Sequence, residues 1–176
     1  MTTTTETSAT DALRRELAEK PDGVLEAAAA RHGVSLLDAT RCLPEALWAA
    51  TAGAHFVEAI EDIASWGDVI IIIHTRDAIF EVEGPMPKGT LGQGFYNLKG
   101  GQALSGHLRP ERCTDIVFLS RPFMGTPTRS VQFFNAAGEA IFKIFVGRDA
   151  ARQLKPDQME RFEQLARRLG AARQVH

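Results

Sequence analysis

Two histidines stand where a strand-like setting makes an imidazole conspicuous. His74 follows a run of five apolar residues, 69–73. Burying an imidazole at the end of such a run is costly unless a partner or ligand takes up its nitrogens. His107 follows Gly106, where missing side-chain bulk lets a large planar ligand approach the backbone. Each histidine has two readings, a hydrogen-bonded structural residue or a metal ligand. Tyr96 is the only tyrosine; its phenolate can ligate ferric iron, or it can be a plain core residue. His32 and His55 fall at expected helix ends and read as capping or exposed residues, and His176 is the last residue.

A third group lies at Arg121-Pro122-Phe123-Met124-Gly125. One reading is an edge-strand kink that serves packing alone. The other is an adaptable apolar wall with a positive rim, suited to a flat ligand bearing carboxylates. Arg109, Arg112 and Arg129 add positive charge nearby in sequence. Catalytic signatures are missing: the chain has no G-x-S-x-G elbow, no H-E-x-x-H, no Walker loop and no G-x-G-x-x-G after a strand. Gly92-Gln93-Gly94 and Gly100-Gly101 read as hairpin turns. Nothing in this set demands an enzyme.

These residues need elements to position them, and the pattern supplies two kinds. Helices are expected over 12–20, 24–32, 36–43 and 55–65, with Asp11 and Ser35 as caps and Gly33 as a left-handed terminator. From Asp68 the period changes. The β-branched run 69–75 reads as a central strand buried on both faces. Further strands are expected over 78–83, 94–99, 103–108, 115–120, 129–135 and 140–146, and a last helix over 156–169. Short connections between strands argue for an antiparallel sheet. The expected fold is therefore α+β, a helical segment, then a large antiparallel sheet, then a C-terminal helix. Its expected parts are a disordered tail over 1–10, a helical subdomain over 11–65, and the sheet with its helix over 66–176, packed as one globular unit.

Composition fits that picture. With 176 residues, 44% of them hydrophobic and 24% charged, the chain is long enough to hold its core without a disulfide or structural metal. The two cysteines, Cys42 and Cys113, form no CxxC pair and read as free thiols in a reducing compartment. The opening residues lack the basic start and apolar run of a secretory signal, and the longest apolar run is far too short to span a bilayer. The expectation is a cytoplasmic protein without stable membrane association. A net charge of −2 argues against a nucleic-acid partner, since phosphate contacts need a basic surplus. Residues 25–43 do have helix-turn-helix spacing. The would-be recognition helix, however, offers Arg41 beside Asp38 and several apolar side chains, a poor set of base-edge readers. A structural three-helix cap is the reading preferred.

The chain also resembles the HutX/ChuX family of intracellular haem-utilisation carriers, through short strings in a fixed order. They run from Trp66-Gly67-Asp68 through His74-Thr75, Gly94-Phe95-Tyr96-Asn97-Leu98 and Ser105-Gly106-His107. Phe123-Met124-Gly125, Phe133-Phe134-Asn135 with Gly138, and the segment 143–149 follow, and Pro21-Asp22-Gly23 in the helical opening also fits. The resemblance implies a haem-binding protein, similar in fold to half of the larger HemS-type proteins, that pairs as a homodimer and passes haem as cargo to a haem-degrading or haem-using enzyme. It implies His74 and His107 as the haem-binding histidines and metal ligands, and only those two; Arg121, Phe123 and Met124 are expected at the same site from the reading of their residue types above. Which residue is the axial ligand, His74, His107 or Tyr96, stays open. Two other functions compete, an enzyme that degrades haem and a haem-responsive regulator that binds DNA.

Overall fold

The computed structural model describes the backbone of residues 3–8 and all atoms of residues 9–101 and 103–171. Residues 1, 2, 102 and 172–176, and with them His176, lie outside the described residues. Five α-helices are described: α1 (Thr3–Glu19), α2 (Leu25–His32), α3 (Leu36–Arg41), α4 (Phe56–Ile63) and α5 (Pro156–Arg168). Nine strands accompany them: β1 (Trp48–Ala52), β2 (Asp68–His74), β3 (Ile79–Pro85), β4 (Gly89–Gly92), β5 (Phe95–Leu98), β6 (Gly106–Leu108), β7 (Cys113–Phe123), β8 (Thr126–Asn135) and β9 (Ala140–Phe145). The strands form the large antiparallel sheet expected and a second, smaller one. A six-stranded sheet has the order β1-β7-β8-β9-β2-β3, and a three-stranded sheet has the order β4-β5-β6.

Three expectations are corrected here. The tail does not hold from Thr3 onward, because α1 already begins there. The boundary at residue 65 does not follow the chain either. β1 lies inside the expected helical part yet pairs with β7, Trp48 opposite Leu119, and Phe56, Ile60 and Ile63 of α4 belong to the core of the sheet. Finally, β2 is not buried on both faces. It is the second strand from an edge; Val69 and Ile71 are buried, while Ile70, Ile72 and His74 are only partly covered.

Alternation along the strands builds two unlike faces. On one face Val69, Ile71, Ile116, Phe118, Val131, Phe133, Phe142 and Ile144 pack against α4 and α5 in the main core. Phe133 stacks on Phe142 at 4.7 Å between ring centroids and meets the edge of Phe56 at 5.3 Å. On the other face Val117, Leu119 and Phe134 carry the helical layer, through Leu13 and Leu17 of α1, Leu25 and Ala28 of α2, and Leu37 of α3. That layer covers only the β1, β7 and β8 side, so the β9, β2 and β3 side stays open.

Several of the strings that carry the resemblance serve as fasteners. The buried Gln158 amide donates to the carbonyls of Trp66 and Asp68 at 3.0 and 2.8 Å, while its Oε1 accepts from the Gly147 N–H at 2.8 Å. A Cβ on Gly147 would lie 2.7 Å from the Asp68 carbonyl oxygen, so glycine is required where the two segments touch. Met124 and Gly125 both have positive φ, 48° and 77°, and close a two-residue hairpin between Phe123 and Thr126. The Arg121–Gly125 cluster is thus a hairpin tip inside the large sheet, not an edge-strand kink. The helix-turn-helix-like piece is docked on the sheet as well: Leu37 N–H donates to the Gly138 carbonyl at 3.0 Å, and Arg41 pairs with Asp115 at 2.7 Å.

Candidate functional site

The half of the sheet face that the helical layer leaves bare forms a cleft of about 360 Å³, within the size range of small-molecule sites. Its floor is one side of four neighbouring strands: Ser130 and Gln132 from β8, Lys143 and Phe145 from β9, Ile70, Ile72 and His74 from β2, and Ile79 and Glu81 from β3. Val24, Leu25 and Glu26 at the start of α2 make one wall. Leu119, Arg121 and Phe123 of β7 make another, and Arg148 with Leu154 closes the end. The strand register explains the floor: Gln132 pairs with Lys143, Lys143 with Ile72, and Ile72 with Glu81, so one row of side chains runs across the sheet.

His74 ends β2 and projects into this cleft, with its side chain 24% exposed. Its Nδ1 stands 3.0 Å from Glu26 Oε1, and the same carboxylate oxygen accepts from the Lys143 ammonium. Burial raises the Glu26 carboxyl, but the charge and hydrogen bond of Lys143, with a smaller pull from His74, outweigh it, so the group sits below its ordinary value. Gln132 is buried and donates from Nε2 to Ser130 Oγ at 3.0 Å. Its Oε1 meets no donor among the described residues.

The cluster expected around the site is only partly assembled. Phe123 lines the cleft, with the Arg121 guanidinium 5.5 Å from its ring centroid. Met124 stands outside the lining, 72% exposed at the hairpin tip. Arg121 lines the cleft but is not a free rim cation: its Nη1 donates to the carbonyls of Pro21 and Gly23 at 2.6 and 2.8 Å. Burial lowers its pKa, against the opposing pull of Glu26 and Asp22. Met124 N–H adds a bond to the Asp22 carbonyl at 3.0 Å, so Pro21-Asp22-Gly23 and the hairpin tip are a single joint. Arg129 pairs with Glu163 at 2.8 Å, Arg109 lies over Phe95 at 4.4 Å, and neither they nor Arg112 line the cleft.

His107 is not brought to His74. It lies on the three-stranded sheet, opposite Asn97, exposed and outside the cleft lining. Its Nδ1 meets Asn97 Oδ1 at 2.6 Å, and its ring meets the edge of Phe95 at 5.6 Å. Tyr96 belongs to the main core at 1% exposure, and its hydroxyl oxygen accepts from Gly89 N–H at 3.0 Å. Burial raises its pKa despite that bond, which opposes the phenolate form that iron ligation needs. Among the described residues no group of three or more His, Cys, Asp or Glu side chains could hold a metal ion by itself. Sequence reading missed Glu26 and Lys143; a lone acid in the first turn of a short helix looks like an ordinary dipole partner.

Comparison with known proteins places this geometry. The haem utilisation ChuX/HutX family model matches residues 49–165. The intracellular heme transport protein HutX of Vibrio cholerae is 39% identical over 150 residues, 84% of this chain and 78% of HutX. A solved protein from Erwinia carotovora superimposes with a TM-score of 0.86 at 45% identity, covering 89% of this chain and 98% of that one. The heme-binding protein ChuX gives 0.82 at 39% identity, covering 90% and 99%. At 14% identity, which shows the fold alone, 88% of this chain matches 47% of the heme-degrading enzyme ChuS of Escherichia coli with a TM-score of 0.71. The fold is thus shared with solved members of the family along nearly the whole of their length, and the chain belongs to the ChuX/HutX haem-utilisation family.

Proposed function

We propose that this chain is a cytoplasmic carrier that binds haem in the sheet cleft and hands it to a haem-degrading or haem-using enzyme. The lining carries the reading. It is an open, largely apolar surface with a single imidazole, His74, and no thiol, thioether or phenol. A haem face laid on Ile70, Ile72, Leu119 and Phe145 gains about 25 cal/mol per Å² of apolar area covered. His74 then supplies one axial ligand, and one ligand in an open cleft suits a cargo that must leave again. Arg148 is the cation available to the propionates: its hydrogen bonds to the Pro127 and Arg152 carbonyls are exposed, so a propionate can compete for it, whereas Lys143 stays with Glu26. Arg121 holds the wall against the α1–α2 joint instead, and Phe123 extends the apolar surface.

In this reading His107, which stands outside the cleft lining of its own chain, meets haem from a second copy of the chain. Edge strand β3 supports such a homodimer: it pairs with β2 on one side only and leaves Ile79 and Phe80 58% and 62% exposed.

Hemin titration tests the proposal. A Soret band saturating near one haem per chain is expected, weakened and reshaped by His74→Ala, with a smaller change from His107→Ala. Added porphyrin iron that stays optically unaltered would end the reading. With a reductant, oxygen and catalase present, the band of a carrier persists; steady loss with a bilin product would make the protein an enzyme instead.

A further inference from the structure

We infer that Glu26, in the first turn of α2, is a positioning residue that turns the His74 imidazole toward the haem iron and couples the helical layer to the site. The inference rests on the haem reading above. Its basis is one oxygen with two partners: Glu26 Oε1 stands 3.0 Å from His74 Nδ1 and accepts from Lys143 Nζ. The carboxylate occupies the Nδ1 side of the ring and leaves Nε2 as the nitrogen for iron. Histidines that bind metals commonly give their other ring nitrogen to a carboxylate, which fixes ring orientation and makes the ligand a stronger donor.

The surroundings make the placement specific. Lys143 is opposite Ile72 in the sheet register, two residues before His74 along β2, so it reaches the carboxylate from the floor while Glu26 descends from the wall. The lysine side chain is only 10% exposed, which leaves it little freedom to release Glu26. The α1–α2 joint holds the start of α2 in place, through Arg121 on the Pro21 and Gly23 carbonyls and Met124 on Asp22. A residue of the helical layer therefore sets the ring of a residue on the sheet. The same contact makes loading and unloading sensitive to any shift of that layer.

The test combines Glu26→Gln with Lys143→Met and His74→Ala in the full chain. Two readouts are taken, haem transfer rate to apomyoglobin and the midpoint potential of bound haem. Glu26→Gln should release haem about 10–100-fold faster and raise the potential, because a less electron-rich imidazole stabilises ferric iron less. Lys143→Met cuts the anchoring arm only and should not raise the potential. In the His74→Ala background Glu26→Gln should add no further change.

Wild-type rate and potential in Glu26→Gln would overturn the inference and leave haem binding standing. The same result follows if Lys143→Met reproduces both changes, or if Glu26→Gln changes both readouts equally without His74. Absence of haem binding in the unmutated chain would instead remove the haem reading and this inference together. If Glu26→Gln does not fold, Glu26→Asp takes its place, with a smaller shift of the same sign expected and no shift counting against the inference.

Discussion

The two faces of the six-stranded sheet are built from alternate residues of the same strands, yet they end differently. On the face toward α4 and α5, Val131, Phe133, Ile144 and Val69 are fully buried. On the other, Ile70 and Ile72 are as apolar as their neighbours but only partly covered, because the helical layer stops over β8. Greasy residues therefore mean two things in one strand. On the closed face they are stability; on the open face they line the cleft. The run 69–73 hides this distinction, since both sets read alike when written in a line.

Substitutions on each face put that contrast at risk. Phe133→Ala on the closed face should cost about 3–5 kcal/mol, because its ring is wedged between Phe142 and Phe56. Denaturant unfolding measures it, and a loss under about 1 kcal/mol would mean the face is not the tight core described. Arg121→Ala should cost about 1.5–3 kcal/mol, the usual worth of hydrogen bonds to a charged group, since it frees the Pro21 and Gly23 carbonyls. Hydrogen exchange should show the loss concentrated in α1 and α2; uniform loss over the sheet would contradict the joint. On the open face, Ile72→Ala should lower stability by no more than about 1.5 kcal/mol while speeding haem release about tenfold. Equal and large stability losses from Ile72→Ala and Phe133→Ala would erase the contrast.

The last effect is alkaline and belongs to a bystander of the site. Burial lifts the Cys113 thiol from its ordinary 9.0 to about 11, against weaker opposing hydrogen bonds from its neighbours. The folded state thus holds that proton more tightly than the unfolded state. Its contribution is fully present below about pH 9 and is lost as pH rises toward about 11. Cys113→Ala should flatten this part of the stability–pH curve, and an unchanged slope would remove the assignment.

Legibility followed the range of the interactions. The helical spacing of Phe56, Ile60 and Ile63, the dense β-branched run ending in His74, and the amphipathic α5 were readable because local period carries them. β1 was not readable. Trp48-Ala49-Ala50-Thr51-Ala52 has little strand character, and it is held extended by pairing with 115–119 of β7, contacts no local pattern contains. The site divided the same way. His74, Arg121 and Phe123 were marked by their types and neighbours, whereas Met124 and His107 were marked equally well and stand outside the cleft.

By itself the amino-acid order determined that helices precede an antiparallel β region, that an imidazole ends the most apolar strand, and which family the chain resembles. All three depend on residue type and short spacing. Only the folded chain decided that one sheet face is left half covered, that Arg121 is spent on backbone carbonyls, and that Glu26 meets Lys143 across 117 residues. Those facts arise where distant segments come together, and a hydrogen bond or an ion pair is chosen by distance in space, which linear order does not carry.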